Sequence, residues 1–233
     1  MRSPANKNRP KLVGVYQDRG GYHSLPHSRG SKKSGAVLGP TRSHSPSPTL
    51  RAPDLLAKKQ RPERLPTYFY RLKPADQRRY LASDRVAELP LKAPCAVMPE
   101  VAALRTALES ENLGAVTRAA QRLVDVLLAA LCAPPVSVEV RGVRPRNRGG
   151  ELHGIFYPRT HPPRIVLWAR TARRHEMVAW KTFLRTLAHE LVHHLDYALL
   201  KLGVSFHTYG FFQRESFLVR VLSVGTDSKM PTA

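Results

Sequence analysis

The chain has few cysteines, few acidic residues and no long apolar run. Cys95 and Cys132 are its only two cysteines, and they lie far apart in the sequence. Two separate cysteines without a C-x-x-C pair exclude a cysteine-built zinc ribbon and fit a reducing compartment. The sequence also lacks the run of about 20 apolar residues that a membrane span needs, and the apolar core of a signal peptide. We therefore expect no membrane contact and a cytoplasmic or nucleoid-associated location.

Acidic residues are scarce compared with basic ones. The chain has 17 Asp and Glu and 38 Lys and Arg, which gives a net charge of +21. Residues 1–65 hold fourteen of the basic residues, three of the acidic residues and eight of the 20 prolines, with little aliphatic periodicity. They are predicted to form a disordered basic tail. A positive charge of this size favours binding to polyanions, because binding releases their counterions. Nucleic acid, bound without sequence specificity, is therefore an expected partner of tail and core. The alternative is a solvated tail that serves solubility alone.

An H-E-x-x-H motif lies in a strongly helical stretch at His189-Glu190-Leu191-Val192-His193. Two imidazoles four residues apart lie one turn from each other on one helix face, so both can bind one metal ion, conventionally zinc. Glu190 lies about 100° around the helix from His189. There its carboxylate can accept a proton from an activated water instead of binding the metal. The alternative is a solvated helix that carries histidines without a metal.

A catalytic zinc site usually has three protein ligands and leaves one position for water. His207 is the favoured third ligand, because Gly203 can end the motif helix and the next helix can start near Thr208. Glu215, on that following helix, is the alternative third ligand.

The helix that carries the motif is amphipathic. Its apolar stripe recurs at spacings of three and four residues, at Trp180, Leu184, Leu187, Leu191 and Leu195. The polar side, which we expect to face a cleft, carries Thr182, His189, His193 and Asp196. His194 points about 100° away from His193 and is expected to flank the site. Asp196 lies one turn further along, where it can orient an imidazole through a hydrogen bond.

The sequence upstream of the motif predicts helices followed by strands. Periodicity favours helices at 100–112 and 114–132, and strands at 136–140, 152–157 and 164–169, with a Gly- and Arg-rich loop at 141–150. This order predicts an α+β fold with helices packed on one small antiparallel or mixed sheet. Residues 66–99 are interpreted as a connector, in which a short helix can open at Pro74.

His153 and Tyr157 lie in the second predicted strand. If that strand runs near the metal, its edge could bind an extended peptide by β-augmentation, and one of these side chains could stabilise an oxyanion. No spacing rule connects them to the metal, so ordinary strand packing is the favoured interpretation for both.

The run Thr-Leu-Ala-His-Glu-Leu-Val-His-His-Leu-Asp at 186–196, followed by His-Thr-Tyr-Gly-Phe at 207–211, resembles the SprT-like zincin metallopeptidases. This group includes the Spartan DNA–protein crosslink proteases and the YgjP-like proteins. In it, a third histidine follows the motif helix in an H-x-x-x-F context. The resemblance implies zinc ligation by His189, His193 and His207, general-base catalysis by Glu190, and a minimal zincin-like domain over residues 100–226.

Motif and resemblance together predict a zinc-dependent metallopeptidase that acts on a protein or peptide substrate through a water activated by zinc and Glu190. Proteins held on nucleic acid are the expected substrate class, by analogy with the group and from the charge. The alternatives are a nucleic-acid-binding protein with a non-catalytic zincin fold, and a zinc hydrolase of non-peptide substrates. Glu190 favours an enzyme, since a structural zinc site has no use for this carboxylate.

Overall fold

Helices and strands follow each other in blocks along the chain. The computed structural model describes residues 13–17, 65–91, 94–147 and 150–223. The helices in this part are α1 Pro74–Arg85, α2 Met98–Glu109, α3 Leu113–Ala130, α4 Trp180–Ala198 and α5 Tyr209–Ser223, with 3-10 turns at Phe69–Arg71 and Pro94–Val97. The strands are β1 Val13–Gln17, β2 Ser137–Val143, β3 Arg146–Asn147, β4 Gly150–Tyr157 and β5 Arg164–Arg170. The predicted α+β class is confirmed.

The strands form one mixed sheet in the order β1-β4-β5-β2, and β3 pairs with the end of β4. β2 runs parallel to β5, whereas β4 runs antiparallel to β5 and to β1. The predicted loop at 141–150 is shorter than expected, because β2 continues to Val143 and β3 pairs with β4. Pairing of Arg141 with Trp168 and of Val143 with Arg170 extends β2. A local turn signal cannot show such long-range pairing.

One face of the sheet carries the main core. Val138, Leu167 and Phe156, from three neighbouring strands, are buried together with the apolar sides of α2, α3, α4 and α5. Helix α3 contributes a broad apolar face, as its periodicity predicts, and the side chain of Asn112 caps its first turn by accepting from the backbone N–H of Ala115 at 3.0 Å. Burial of this face fixes α4 against β4, which positions the motif.

Strand β1 lies within the segment predicted to be disordered. Its residues pair antiparallel with β4, Val15 opposite Gly154 and Val13 opposite Phe156. For these five residues the structure differs from the prediction, because an alternating Val-Gly-Val segment can add to a sheet edge when tertiary contacts bring it there. The rest of the tail up to residue 64 lies outside the described residues, as do residues 224–226 of the predicted domain.

The predicted connector contains α1, which begins at Pro74 as expected and packs on α5. Contact is close at Gly210: a Cβ atom there would lie 2.4 Å from the carbonyl oxygen of Ser83. The boundary predicted at residue 100 falls inside α2, which begins at Met98. No helix of the described ranges is long and apolar enough to cross a membrane.

Candidate metal centre

Three histidines converge beside α4. His189 and His193 lie one turn apart on this helix, and His207 comes from the segment that precedes α5. The Nε2 atom of His207 lies 3.0 Å from Nε2 of His189 and 3.2 Å from Nε2 of His193. All three side chains offer ligand atoms within 4.8 Å of one another. The structure therefore brings together the three residues that the motif and the resemblance indicate.

A sharp turn after α4 brings His207 back to the helix. The backbone N–H groups of Leu199 and Leu200 both bond to the carbonyl of Leu195, so α4 ends at Ala198 and not at Gly203 as predicted. Gly203 instead adopts a φ of 69° in the following turn, a conformation that glycine tolerates best. Helix α5 begins at Tyr209, close to the predicted start, and the Thr208 hydroxyl accepts from the N–H of Phe211 at 3.0 Å.

Two phenylalanine rings contact the histidine cluster. The ring of Phe211 lies 4.9 Å from that of His189, 4.7 Å from that of His193 and 4.9 Å from that of His207, measured between centroids. Phe212 stacks on His207 at 5.8 Å with an interplanar angle of 24°. Such contacts restrict the rotation of the imidazoles and keep their surroundings apolar.

Burial favours the neutral form of two of these imidazoles, those of His193 and His207. The pKa of His193 is lowered well below its usual value, by burial first and then by the neighbouring His189 and His207. The pKa of His207 is lowered to about 3, by burial and by His189, although Glu215 opposes the shift. A neutral imidazole has a free lone pair, so these side chains suit a metal ion better than a proton at neutral pH.

Glu215 lies on the far side of His189 from the convergence point. Its Oε2 is 2.9 Å from Nδ1 of His189, while its Oε1 accepts from Nε of Arg185 at 2.8 Å. Burial alone would raise the pKa of Glu215, but the hydrogen bonds from His189 and Arg185 outweigh it and the pKa is lowered. In this position Glu215 orients the His189 imidazole so that its Nε2 faces His207.

Asp196 contacts the cluster through a serine. The Ser205 hydroxyl lies 2.7 Å from Nδ1 of His193 and donates to Oδ2 of Asp196 at 2.6 Å. The other oxygen of Asp196 accepts from Nη2 of Arg214 at 2.7 Å. Burial raises the pKa of Asp196, while Arg214 and Ser205 oppose that shift.

Glu190 is fully buried against the sheet. A Cβ atom at Gly154 of β4 would lie 2.7 Å from Oε1 of Glu190, so the absence of a side chain at Gly154 makes room for this carboxyl group. Neither oxygen of Glu190 has a hydrogen-bond partner of good geometry among the described residues. Burial raises its pKa well above the usual value, the negative charge of Glu215 adds to the shift, and the backbone N–H of Phe156 opposes it.

The polar side of α4 differs from its prediction. It does not line an open cleft, because His193, Glu190 and Asp196 are all 0% exposed and α5 packs on this helix. The predicted apolar stripe is buried as expected, with Trp180 at its partly exposed end. An amphipathic pattern identifies the side that packs on the sheet, but it does not show that a second element covers the other side.

The remaining candidates have structural contacts. His194 is hydrogen-bonded to the carbonyl of Pro134 at 2.8 Å, and burial lowers its pKa. Tyr157 packs with Ile155 in the small cluster on the sheet face away from the main core, with the guanidinium of Arg164 5.0 Å above its ring. His153 is buried, and its pKa is lowered to about 4 by burial and by Arg144. These contacts fit the strand packing favoured for His153 and Tyr157.

Ser205, Arg214 and Arg185 are contacts of the site that sequence reasoning missed. None belongs to a motif, and each meets its partner only after the chain has turned between α4 and α5. The one available signal was a run of polar residues at 213–216 of α5, which includes Arg214 and Glu215 and lies between apolar residues.

Comparisons with protein families, curated proteins and solved structures found no match to this chain.

Proposed function

We propose that the protein is a zinc-dependent metallopeptidase with a zincin-like core of the SprT-like type, in which His189, His193 and His207 bind the metal and Glu190 is the general base. One observation carries the proposal. Three imidazole nitrogens lie within 4.8 Å of one another, and the residue next to His189 is a fully buried Glu190 that has no hydrogen-bond partner of good geometry among the described residues.

The donor set fits zinc. Three neutral imidazoles that leave one position open are a known arrangement for catalytic zinc. The Nδ1 atoms of His189 and His193 face hydrogen-bonding oxygens of Glu215 and Ser205, as the free ring nitrogen of a metal-ligating histidine usually does. When bound, zinc supplies a Lewis acid that polarises a carbonyl and makes a water molecule acidic near neutral pH.

Glu190 performs the proton transfers. It accepts a proton from the attacking water, whose oxygen adds to the scissile carbonyl carbon, and it then gives this proton to the leaving amine nitrogen as the C–N bond breaks. Burial and Glu215 favour the neutral form of Glu190 in the metal-free protein. A divalent cation at the cluster favours the carboxylate instead, because opposite charge lowers the pKa of an acid.

The sheet supports a peptide as substrate. Gly154 of β4 lies against Glu190, so backbone bound along β4 runs close to the base. An extended peptide can pair with such a strand through main-chain hydrogen bonds. In the structure β1 pairs with β4 along this edge, so it marks a path that a peptide backbone can follow.

Proteins held on nucleic acid are the proposed substrate class. The net charge of +21 supports it, since such charge concentrates a protein on polyanions without reading sequence. The same charge supports a nucleoid-associated place of action.

Metal analysis combined with a peptidase assay, run with and without single-stranded DNA, tests the proposal. We expect about one zinc per chain in the wild-type protein. Glu190→Gln should keep the zinc and lose roughly 10²- to 10⁴-fold in turnover, because the amide cannot act as a base. Glu109→Gln, a change of the same type on an exposed residue of α2, is the control.

Two results would contradict the proposal. A wild-type protein without zinc affinity would contradict the proposed metal site. An unchanged rate of cleavage by Glu190→Gln would contradict the role of Glu190 as general base. Stoichiometric zinc and DNA binding without any hydrolysis would favour the non-catalytic alternative.

A further inference from the structure

The hydrogen bonds of Ser205 determine which ring nitrogen of His193 carries the hydrogen. The Ser205 hydroxyl has a single hydrogen, which it donates to Oδ2 of Asp196 at 2.6 Å. It can therefore only accept from Nδ1 of His193, 2.7 Å away. The hydrogen of the neutral imidazole must then reside on Nδ1. This leaves the lone pair on Nε2, the atom that lies 3.2 Å from Nε2 of His207.

His193, Ser205 and Asp196 form a relay of hydrogen bonds. A buried arginine holds the Asp196 carboxylate at its end. Arg214 donates from Nη2 to Oδ1 of Asp196 at 2.7 Å, and both side chains are 0% exposed. With Oδ1 engaged by Arg214, Oδ2 is directed to Ser205. Asp196 thus acts as an acceptor only, and the donor direction of the Ser205 hydroxyl follows from it.

The end of α1 holds Arg214. Its Nη1 donates to the carbonyl of Ser83 at 2.8 Å and to the carbonyl of Val86, and its Nη2 donates to the Ser83 hydroxyl at 2.9 Å. The side chain of Asp84 accepts from the backbone N–H of Gly210 at 3.2 Å, which ties α1 to the first turn of α5. A segment that reads as a connector in the sequence therefore completes the surroundings of the guanidinium.

We propose that Ser205, Asp196 and Arg214, anchored by the end of α1, are positioning residues that hold His193 as the Nδ1–H tautomer with Nε2 directed at the metal. This inference rests on the proposed zinc site. It assigns a role to α1, because loss of its contacts with Arg214 would release Asp196 and then Ser205. The relay is separate from the contact of Glu215 with His189, so the two can be tested independently.

Zinc affinity of Ser205 variants tests the relay. Ser205→Ala removes the acceptor for Nδ1–H, and we expect the zinc dissociation constant to rise roughly 10- to 100-fold, the usual effect of losing the hydrogen-bond partner of a ligating histidine. Ser205→Thr keeps the hydroxyl and should retain an affinity near that of the wild type. Ser137→Ala removes a half-buried hydroxyl that bonds to the carbonyl of Pro163, and it serves as the matched control.

Asp196→Asn tests the next link. An amide can donate its own N–H to Ser205, so the direction of the serine hydroxyl is no longer fixed, and zinc affinity should fall as in Ser205→Ala. Because this change also disrupts a buried ion pair, far-ultraviolet circular dichroism and thermal unfolding accompany each titration. The visible spectrum of the cobalt-substituted protein reports ligand geometry without any assay of activity.

The outcomes separate the two proposals. A folded Ser205→Ala protein with wild-type zinc affinity and an unchanged cobalt spectrum would overturn the positioning role and leave the zinc site intact. Equal loss of affinity in Ser205→Ala and Ser205→Thr would also overturn it, since the hydroxyl would then not be the feature that matters. A wild-type protein that binds neither zinc nor cobalt would instead overturn the proposed function on which the inference rests.

Discussion

At the scale of single residues, Glu215 connects His189 to Arg185. One carboxylate oxygen faces Nδ1 of His189 and the other accepts from Arg185, whose side chain is half exposed. The carboxylate therefore stabilises the Nδ1–H form of His189, which leaves the lone pair on Nε2. This arrangement makes Glu215 a support of the cluster and His207 its third member.

Substitution of Glu215 should weaken zinc binding without abolishing it. Glu215→Gln keeps an acceptor for Nδ1–H but loses the charge, so its zinc affinity should fall less than that of Glu215→Ala, for which we expect a loss of roughly 10- to 100-fold. His207→Ala removes a ligand and should lose stoichiometric zinc. Competition with a chelator measures all three. Stoichiometric zinc in His207→Ala together with its loss in Glu215→Ala would make Glu215 the third ligand.

At the scale of elements, the packing of β4 on α4 leaves no room for a side chain at Gly154. An added Cβ would lie 2.7 Å from Oε1 and 2.8 Å from Cγ of Glu190, and 2.8 Å from Cγ2 of Thr186. These distances are well inside ordinary contact, so the Glu190 side chain or the strand must move. The spacing between strand and helix is thereby linked to the position of the proposed base.

Gly154→Ala should therefore reduce both stability and turnover. Overpacking of this kind costs roughly 1–3 kcal/mol, and displacement of Glu190 adds a loss of turnover. Gly142→Ala is the matched control, because a Cβ on this β2 glycine meets nothing closer than Cδ1 of Leu113, at 3.6 Å. Urea unfolding and peptide hydrolysis of both variants are the measurements. A Gly154→Ala protein as stable and as active as Gly142→Ala would contradict the packing described.

Strand β4 also contains a histidine that should make stability depend on pH. His153 is buried, and burial together with Arg144 lowers its pKa from 6.5 in a model peptide to about 4. The folded state thus binds the proton less tightly than the unfolded state. His153 contributes full stability above the unfolded pKa, and this contribution is lost as pH falls from about 6.5 towards 4.

His153→Gln removes this titration. Between pH 7.5 and pH 4.5 the wild type should lose more free energy of unfolding than the variant, by at most about 3 kcal/mol. The other buried histidines contribute equally to both proteins and cancel in the comparison. Urea denaturation at the two pH values measures the difference. Parallel losses in wild type and variant would show that His153 is protonated equally easily in the folded and unfolded states.

At the scale of the whole molecule, β1 occupies the edge of β4 that a peptide substrate would use under the proposed function. Deletion of residues 1–17 leaves backbone donors and acceptors of β4 free to pair with an added strand. If β1 competes with about 1.4 kcal/mol of binding free energy, the KM for an extended peptide should fall roughly tenfold. Steady-state hydrolysis by full-length and truncated protein measures this, and an unchanged KM would show that β1 does not compete.

The basic tail should contribute to nucleic-acid binding. Residues 1–64 contain fourteen Lys and Arg, of which only four precede residue 18. Deletion of 1–64 should weaken DNA binding and flatten its dependence on salt far more than deletion of 1–17, because fewer phosphate contacts release fewer counterions. Titrations with single- and double-stranded DNA over a range of salt concentrations test this. Equal salt slopes for full-length protein and the longer deletion would exclude the tail from binding.

The sequence by itself determined the elements and the centre of the site. Periodicity is a local property, so the apolar stripe of α4, the face of α3 and the alternating strands were predicted to within a few residues. The spacing of His189 and His193 fixes their shared helix face, because 3.6 residues per turn is a property of every α-helix. The class of the fold follows from the order of these elements.

Only the tertiary structure decided what surrounds that centre. Contacts between residues far apart in the chain bring His207 back to α4 and place it, and not Glu215, beside the Nε2 atoms of His189 and His193. Such contacts also form the relay from His193 to α1. The same holds for the burial of the polar side of α4 and for β1 at the sheet edge. Local patterns cannot predict such contacts, because they arise from packing of whole elements and not from the conformational preference of any one segment.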